Sequence, residues 1–194
     1  MSGDVTILLL AAGASARMRG VDKLLEEVDG EALLRVMARR AAKAGRLRVV
    51  LPDGNAARAA CLDGIDCDIV PVPAGSDMSA SIKAGTGGLS TPVLVVLADM
   101  PEVTAHDMHL MIALSGQAPK AILRAASSDG TLGNPVLFPV NMLPELQAIE
   151  GDKGARDLLK RHAARLHLIP LPDAHALTDL DTPEDWAAWR AARG

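Results

Sequence analysis

Apolar and polar positions follow two recurring patterns along the chain. Val5–Leu10 is a nearly unbroken apolar run that stops at Gly13, as expected of a strand covered on both faces. Val93–Leu97 is a second such run, followed at once by Ala98-Asp99-Met100-Pro101. Leu47–Leu51, closed by Pro52-Asp53-Gly54-Asn55, reads as another strand, and Cys67–Val72 and Leu166–Leu171 as weaker ones. Helical stripes lie between them. Leu33, Leu34, Met37, Ala38 and Ala41 fall on one face of a helix predicted over Glu31–Ala44 and stopped by Gly45. A helix begins at Ser79 and runs to Ala84, where Gly85, Gly87 and Gly88 are expected to end it. Thr104 and Asp107 make a capping box for a helix through Leu114, and Gly154–His162 is also helical. Thr182-Pro183-Glu184-Asp185 is a strong start for a last helix running to Arg193. Ala121–Ala125 and Pro135–Pro139 flank the turn Ser127-Ser128-Asp129-Gly130, either as a hairpin or as a longer excursion.

This alternation predicts an α/β fold with a mostly parallel sheet and helices on both faces. Without a repeat or a linker, residues 1–194 are expected to form a single domain. Ligands in such sheets bind beyond the carboxyl ends of the strands, which singles out the loops Ala11–Lys23 and Ala98–Pro101.

Composition narrows the partners. The net charge of −4 gives no general attraction for a polyanion, so no nucleic-acid partner is expected. Aromatic residues make up 2% of the chain, too few for base-stacking platforms. Cys61 and Cys67 form neither a CxxC pair nor a zinc quartet and read as reduced thiols. The N-terminus lacks the basic segment of a signal peptide and its apolar run is too short to span a bilayer. A cytoplasmic protein with no membrane partner is expected. Affinity for phosphate must then come from a local site.

The first loop has that chemistry. Small residues at Ala11, Ala12 and Gly13 let backbone amides approach a ligand, Ser15 adds a hydroxyl, and Arg17 and Lys23 add positive charge. A polyphosphate cradle and a plain βα turn with solvated charges both fit. The loop is neither a Walker A sequence nor a GxGxxG fingerprint. Asp99, at the end of a buried strand, is placed to hold a hard cation; a simple turn aspartate before Pro101 is the alternative. Asp179 and Asp181 complete such a site if the chain returns beside Asp99, or else serve only to cap the last helix. Gly75–Gly85, rich in hydroxyls, offers hydrogen bonds to a base or ribose, or is an ordinary loop.

Leu10–Lys23 resembles the LAAGxSxRMGGxDK motif of the MobA-like nucleotidyltransferases, especially the molybdenum cofactor cytidylyltransferases. Met78–Gly85 is similar to that family's nucleotide-binding helix start, and Leu97–Pro101 to its metal-binding loop. Gly133–Phe138 and Gly151–Arg156 resemble its acceptor-side segments, and Asp179–Asp185 its terminal motif. The matches run in family order over nearly the whole chain. The resemblance implies a Rossmann-like, three-layer fold with a mixed central sheet, of the nucleotide-diphospho-sugar transferase type. It implies transfer of a nucleotidyl group to a phosphate on a molybdopterin-type acceptor, with release of pyrophosphate. Leu10, Ala11, Ala12, Gly13, Ser15, Ser79 and Ser81 would then bind the nucleotide, and Arg17 and Lys23 its triphosphate. Asp99 and Asp181 would hold Mg2+, and Asn134, Lys153 and Arg156 would face the acceptor.

Within the family, cytidylyltransferases tend to carry Ala-Ala-Gly at the positions of Ala11-Ala12-Gly13 and guanylyltransferases Ala-Gly-Gly, which favours CTP. Two residues depart from the pattern: Arg19 stands where glycine is usual, and Asn134 where histidine is common. An acceptor phosphate is ionised near neutral pH, so no strong general base is required, and no motif contains a histidine. His106 and His109 share a helical face and read as surface residues. Other readings are a guanylyltransferase, a transferase acting on a sugar or alcohol phosphate, and a non-catalytic nucleotide sensor or chaperone for a molybdoenzyme. A molybdoenzyme or its chaperone is the expected macromolecular partner.

Overall fold

The computed structural model describes residues 5–151 and 154–194. The first unit joins β1 (Thr6–Leu10) to α1 (Leu33–Ala44) through the glycine loop and a two-residue hairpin, β2 (Glu27–Val28) with β3 (Glu31–Ala32). The chain returns as β4 (Arg46–Pro52), α2 (Ala56–Ala60), β5 (Asp68–Val72), α3 (Met78–Thr86) and β6 (Val93–Leu97). After α4 (Ala105–Ser115), β7 (Ile122–Ala126) and β8 (Leu132–Phe138) pair directly as antiparallel neighbours, which makes the Ser127–Gly130 turn a hairpin. Then come α5 (Leu143–Ala148), α6 (Gly154–Arg161), β9 (Leu166–Pro170) and α7 (Pro183–Arg193).

Seven strands form one sheet in the order β5-β4-β1-β6-β8-β7-β9, in which only β8 runs against its neighbours. This is the mixed, mostly parallel sheet expected from the alternating patterns. The strands at its centre read as unbroken apolar runs because both faces are covered. Ile7 and Leu9 pack on one side with Met37 and Met111, while Leu8 packs on the other with Ile82 and Leu146. Side chains alternate across a strand, so a two-sided core needs an apolar residue at every position.

Three short elements escaped the sequence patterns: the β2–β3 hairpin, five-residue α2 and six-residue α5. None is long enough to show a periodicity. One glycine was misread. Gly85 does not end α3 but lies inside it, and Gly87 is the C-cap. A Cβ at Gly85 would collide with Leu8 and stand 2.9 Å from Val50 Cγ2, so the residue is there to let the helix sit close to the sheet. Among the described residues, no helix is long and apolar enough to cross a membrane.

Candidate functional site

Strand register brings the two key loops together. Leu10 pairs with Leu97 across β1 and β6, so Ala11–Lys23 and Ala98–Pro101 leave the sheet side by side. The Ala98 amide donates to the Leu10 carbonyl (3.1 Å), tying the loop bases to each other. The segment after β9 then crosses this edge, and the Leu180 amide donates to the carbonyl of Asp99 (3.1 Å). That bond sets Asp179 and Asp181 beside Asp99, although they lie 80 and 82 positions further along the sequence.

The crossing segment is fastened at two further points. The Asn134 amide donates to the Ala176 carbonyl (2.9 Å), and His175 Nδ1 lies 2.9 Å from Oδ2 of the buried Asp107, which also closes the α4 capping box. Gly133 is required for this approach, because a Cβ there would overlap the Ala176 carbonyl oxygen. Gly133→Ala is therefore expected to push the Asp179–Asp181 segment outward. Thermal denaturation should show a loss of about 1–3 kcal/mol, the usual cost of forced overpacking, accompanied by weaker divalent-metal binding. Unchanged melting and metal affinity would show that the contact carries no strain.

A compact cluster of charge results. Lys23 Nζ donates to Asp99 Oδ2 (2.5 Å) and to Asp181 Oδ1 (2.6 Å), and Arg17 Nη2 to Asp181 Oδ2 (2.5 Å). Burial works against the charge on Lys23, but the two carboxylates outweigh it and hold the ammonium above its ordinary range. The Asp179 carboxyl is raised as well, but in a sense that disfavours its charge, first by desolvation and then by repulsion from Asp181 and Asp99. Arg17 is 69% exposed and Lys23 only 10%, so the first is an outer cation and the second an inner one.

The residues present suit a divalent cation. Asp99 Oδ1 is buried and has no hydrogen-bond partner among the described residues, an arrangement that leaves a carboxylate oxygen for a ligand. No group of three or more candidate ligands occurs among the described residues. A cation here would thus rest on two aspartates, with water and phosphate oxygens supplying the remainder, as hard cations at phosphate sites commonly do.

Beside the cluster lies a cleft of about 260 Å³, lined by Leu10, Ala12, Gly13, Lys23, Ser81, Leu97 and Asp99, together with Leu24 and Ser76–Met78. A second hollow of about 370 Å³ runs behind the loop, between Ala12–Ala16, Asp22, Asn55 and Arg58. Most residues of the sequence-based site converge here, and Ser15 faces the second hollow. Ala11 is buried under the loop, where its amide continues the sheet to Val50. Ser79 does not line the cleft: it is buried, and its hydroxyl donates to the Asp77 carboxylate (2.9 Å) that caps α3. Asn134 and Arg156 line neither space. Arg156 is exposed on α6, near enough to Arg124 for the two charges to repel, and Lys153 lies outside the described residues. Arg19 adopts a left-handed conformation (φ 52°) where glycine is usual, and its guanidinium reaches Glu184 (2.5 Å). His106 and His109 are exposed on α4.

Three site residues were not foreseen: Asp77, whose carboxylate sits at the cleft; His175; and Arg58, whose buried guanidinium lies beneath the loop. Only Asp77 carried a local signal, as the N-cap three residues before Ala80.

Residues 7–166 match the MobA-like NTP transferase domain. The chain belongs to that family. Its sheet has the nucleotide-diphospho-sugar transferase fold. Among curated proteins it is 27% identical over 119 residues to the purine catabolism protein PucB of Bacillus subtilis, covering 61% of this chain. The match spans 56% of that relative's length. The structure of Rv0371c from Mycobacterium tuberculosis superposes with a TM-score of 0.83 at 24% identity, covering 97% of this chain and 98% of that one. A manganese complex of Rv0371c superposes at 0.79, with 23% identity over 95% and 97% of the two chains. A nucleotidyl transferase from Methanothermobacter gives 0.82 at 19% identity, covering 97% of each chain.

Proposed function

We propose that this family member transfers CMP from CTP to the phosphate of a molybdopterin-type acceptor, releasing pyrophosphate, and that it requires Mg2+. The observation that carries the reading is the cluster of Lys23, Arg17, Asp99 and Asp181 at the mouth of a nucleoside-sized cleft. Lys23 and Arg17 neutralise the triphosphate, while Ala12, Gly13 and Ser81 line the space for ribose and base. Asp99 and Asp181 would hold the metal, which would supply positive charge against the triphosphate.

The difficulty of the reaction is electrostatic, because an anionic acceptor must approach a polyanion. The attacking phosphate oxygen forms a bond to the α-phosphorus as the bond to pyrophosphate breaks, and no proton has to be removed first. Catalysis then rests on positioning and charge neutralisation. Opposite unit charges ~4 Å apart attract by about 4 kcal/mol at an effective dielectric of ~20, so two cations and a divalent metal are of the right order to offset the repulsion. Asn134, Lys153 and Arg156 belong to the acceptor side of the proposal. Ala12, at the cleft wall, carries a methyl where guanylyltransferases tend to have glycine, and this supports CTP over GTP through the family pattern.

A molybdoenzyme or its chaperone is the proposed partner, a reading supported by the resemblance of the loop motifs to the molybdenum cofactor cytidylyltransferases. The test is a matrix of CTP, GTP and other triphosphates against molybdopterin, sugar-phosphate and alcohol-phosphate acceptors, followed by pyrophosphate release. Release with CTP and molybdopterin alone is the expected result. Preference for GTP would reassign the nucleotide, preference for a sugar phosphate would reassign the acceptor, and no release with any pair would favour a binding protein.

A further inference from the structure

Arg58 is a charged side chain that the proposed reaction does not use, although it is almost fully buried. It sits on α2, where Asn55 caps the helix by accepting from the Arg58 amide (3.0 Å). Its guanidinium lies under the glycine loop. Nη1 donates to the Ala11 carbonyl (2.6 Å), and Nη2 to the Gly13 carbonyl (2.8 Å) and Ser15 Oγ (3.3 Å). Nε and Nη2 also grip Asp22 through both carboxylate oxygens, each at 2.8 Å. Burial opposes the charge on Asp22, but Arg58 outweighs it and holds the carboxyl below its usual range. Asp22 in turn accepts from Ser15 Oγ and the Leu24 amide. One planar fork therefore holds the loop where it leaves β1 and again just before Lys23.

The consequence follows from the peptide bond itself. In a trans peptide the carbonyl of one residue and the amide of the next point in opposite directions. Drawing the Ala11 and Gly13 carbonyls toward Arg58 turns the Ala12 and Ala14 amides away from it. Among the described residues, neither amide donates to any protein acceptor. Alternate amides presented in this way form a concave donor surface for an anion.

We propose that Arg58 is the positioning residue of the phosphate loop. By binding two alternate carbonyls and Asp22, it aims the Ala12 and Ala14 amides at the polyphosphate and fixes Lys23 beside them. It does not touch the substrate. Lysine cannot replace it, because a single ammonium lacks the fork needed to hold two carbonyls and a carboxylate together. This inference rests on the nucleotide reading and deepens it.

The test uses the full chain labelled with 15N, inorganic pyrophosphate as probe, and a thermal melt to confirm folding. In the wild type, pyrophosphate is expected to move the Ala12 and Ala14 amide resonances. In Arg58→Ala, affinity should fall about tenfold or more, since displacement of a positioned group by even ~1 Å has effects of this order. Added guanidinium should restore part of the loss, and ammonium at the same concentration should not. Arg58→Lys, which keeps a charge opposite Asp22, should show the same weakened binding and serves if the alanine variant does not fold. Wild-type affinity in a folded Arg58 variant would overturn the inference and leave the nucleotide site standing. Equal rescue by ammonium would reduce Arg58 to a simple charge and overturn it as well. If no loop amide of the wild type responds to pyrophosphate or CTP, the nucleotide reading itself fails.

Discussion

Asp99→Asn is expected to lower metal-dependent turnover by more than about a hundredfold while the protein stays folded, the size of effect seen when a preorganised electrostatic partner is removed from a reacting centre. The substitution keeps the side-chain volume at the end of β6, and the backbone bond from Leu180 to the Asp99 carbonyl does not depend on the carboxylate. The strand cores of Leu94 and Val96 beneath it remain untouched. What disappears is one of two anions facing Lys23, and one of the two carboxylate oxygens becomes an NH2 that cannot ligate a cation. Initial rates against magnesium concentration, beside a thermal melt, would separate the two effects. Turnover near that of the wild type would take Asp99 out of the chemistry altogether.

Lys23→Met should produce the second large effect, and it should have two opposite signs. The ammonium is the inner cation for the triphosphate, so turnover and CTP affinity should each fall by about tenfold or more. The same ammonium now bridges Asp99 and Asp181, at 2.5 and 2.6 Å, and so stands between the two carboxylates assigned to the metal. Without it, manganese binding to the nucleotide-free protein should tighten by about tenfold, because a like charge has been removed from the site. Paramagnetic resonance of free manganese would measure this directly. A variant that loses nucleotide but gains no metal affinity would show that Lys23 and the cation do not compete. Methionine is chosen because it preserves most of the buried aliphatic stem.

Much of the site was legible because its parts are local. The glycine loop, its hydroxyl and its two cations lie within fourteen consecutive residues, and Asp99 follows directly on an unmistakable buried strand. The terminal aspartates were visible as a motif, but only the family resemblance set them beside Asp99. Ser79 shows the limit of reading residue types: a serine at a helix start reads as a ligand contact, whereas its hydroxyl serves the helix cap. Gly85 shows another, because a glycine chosen for close packing and a glycine that ends a helix look alike in sequence.

The chain's own pattern of apolar residues determined the layered sheet, the order of its long elements and the loops on which charge would gather. These depend on periodicity and on short-range backbone preferences, which each segment carries by itself. Tertiary structure alone decided which distant groups meet: Leu180 against Asp99, Gly133 against Ala176, and Arg58 beneath a loop more than forty residues earlier. Such contacts arise from strand register and chain crossing, and a guanidinium that holds backbone carbonyls leaves no sequence signature at the residues it holds. The acceptors of Arg58 at Ala11 and Gly13 are peptide groups, which every residue possesses.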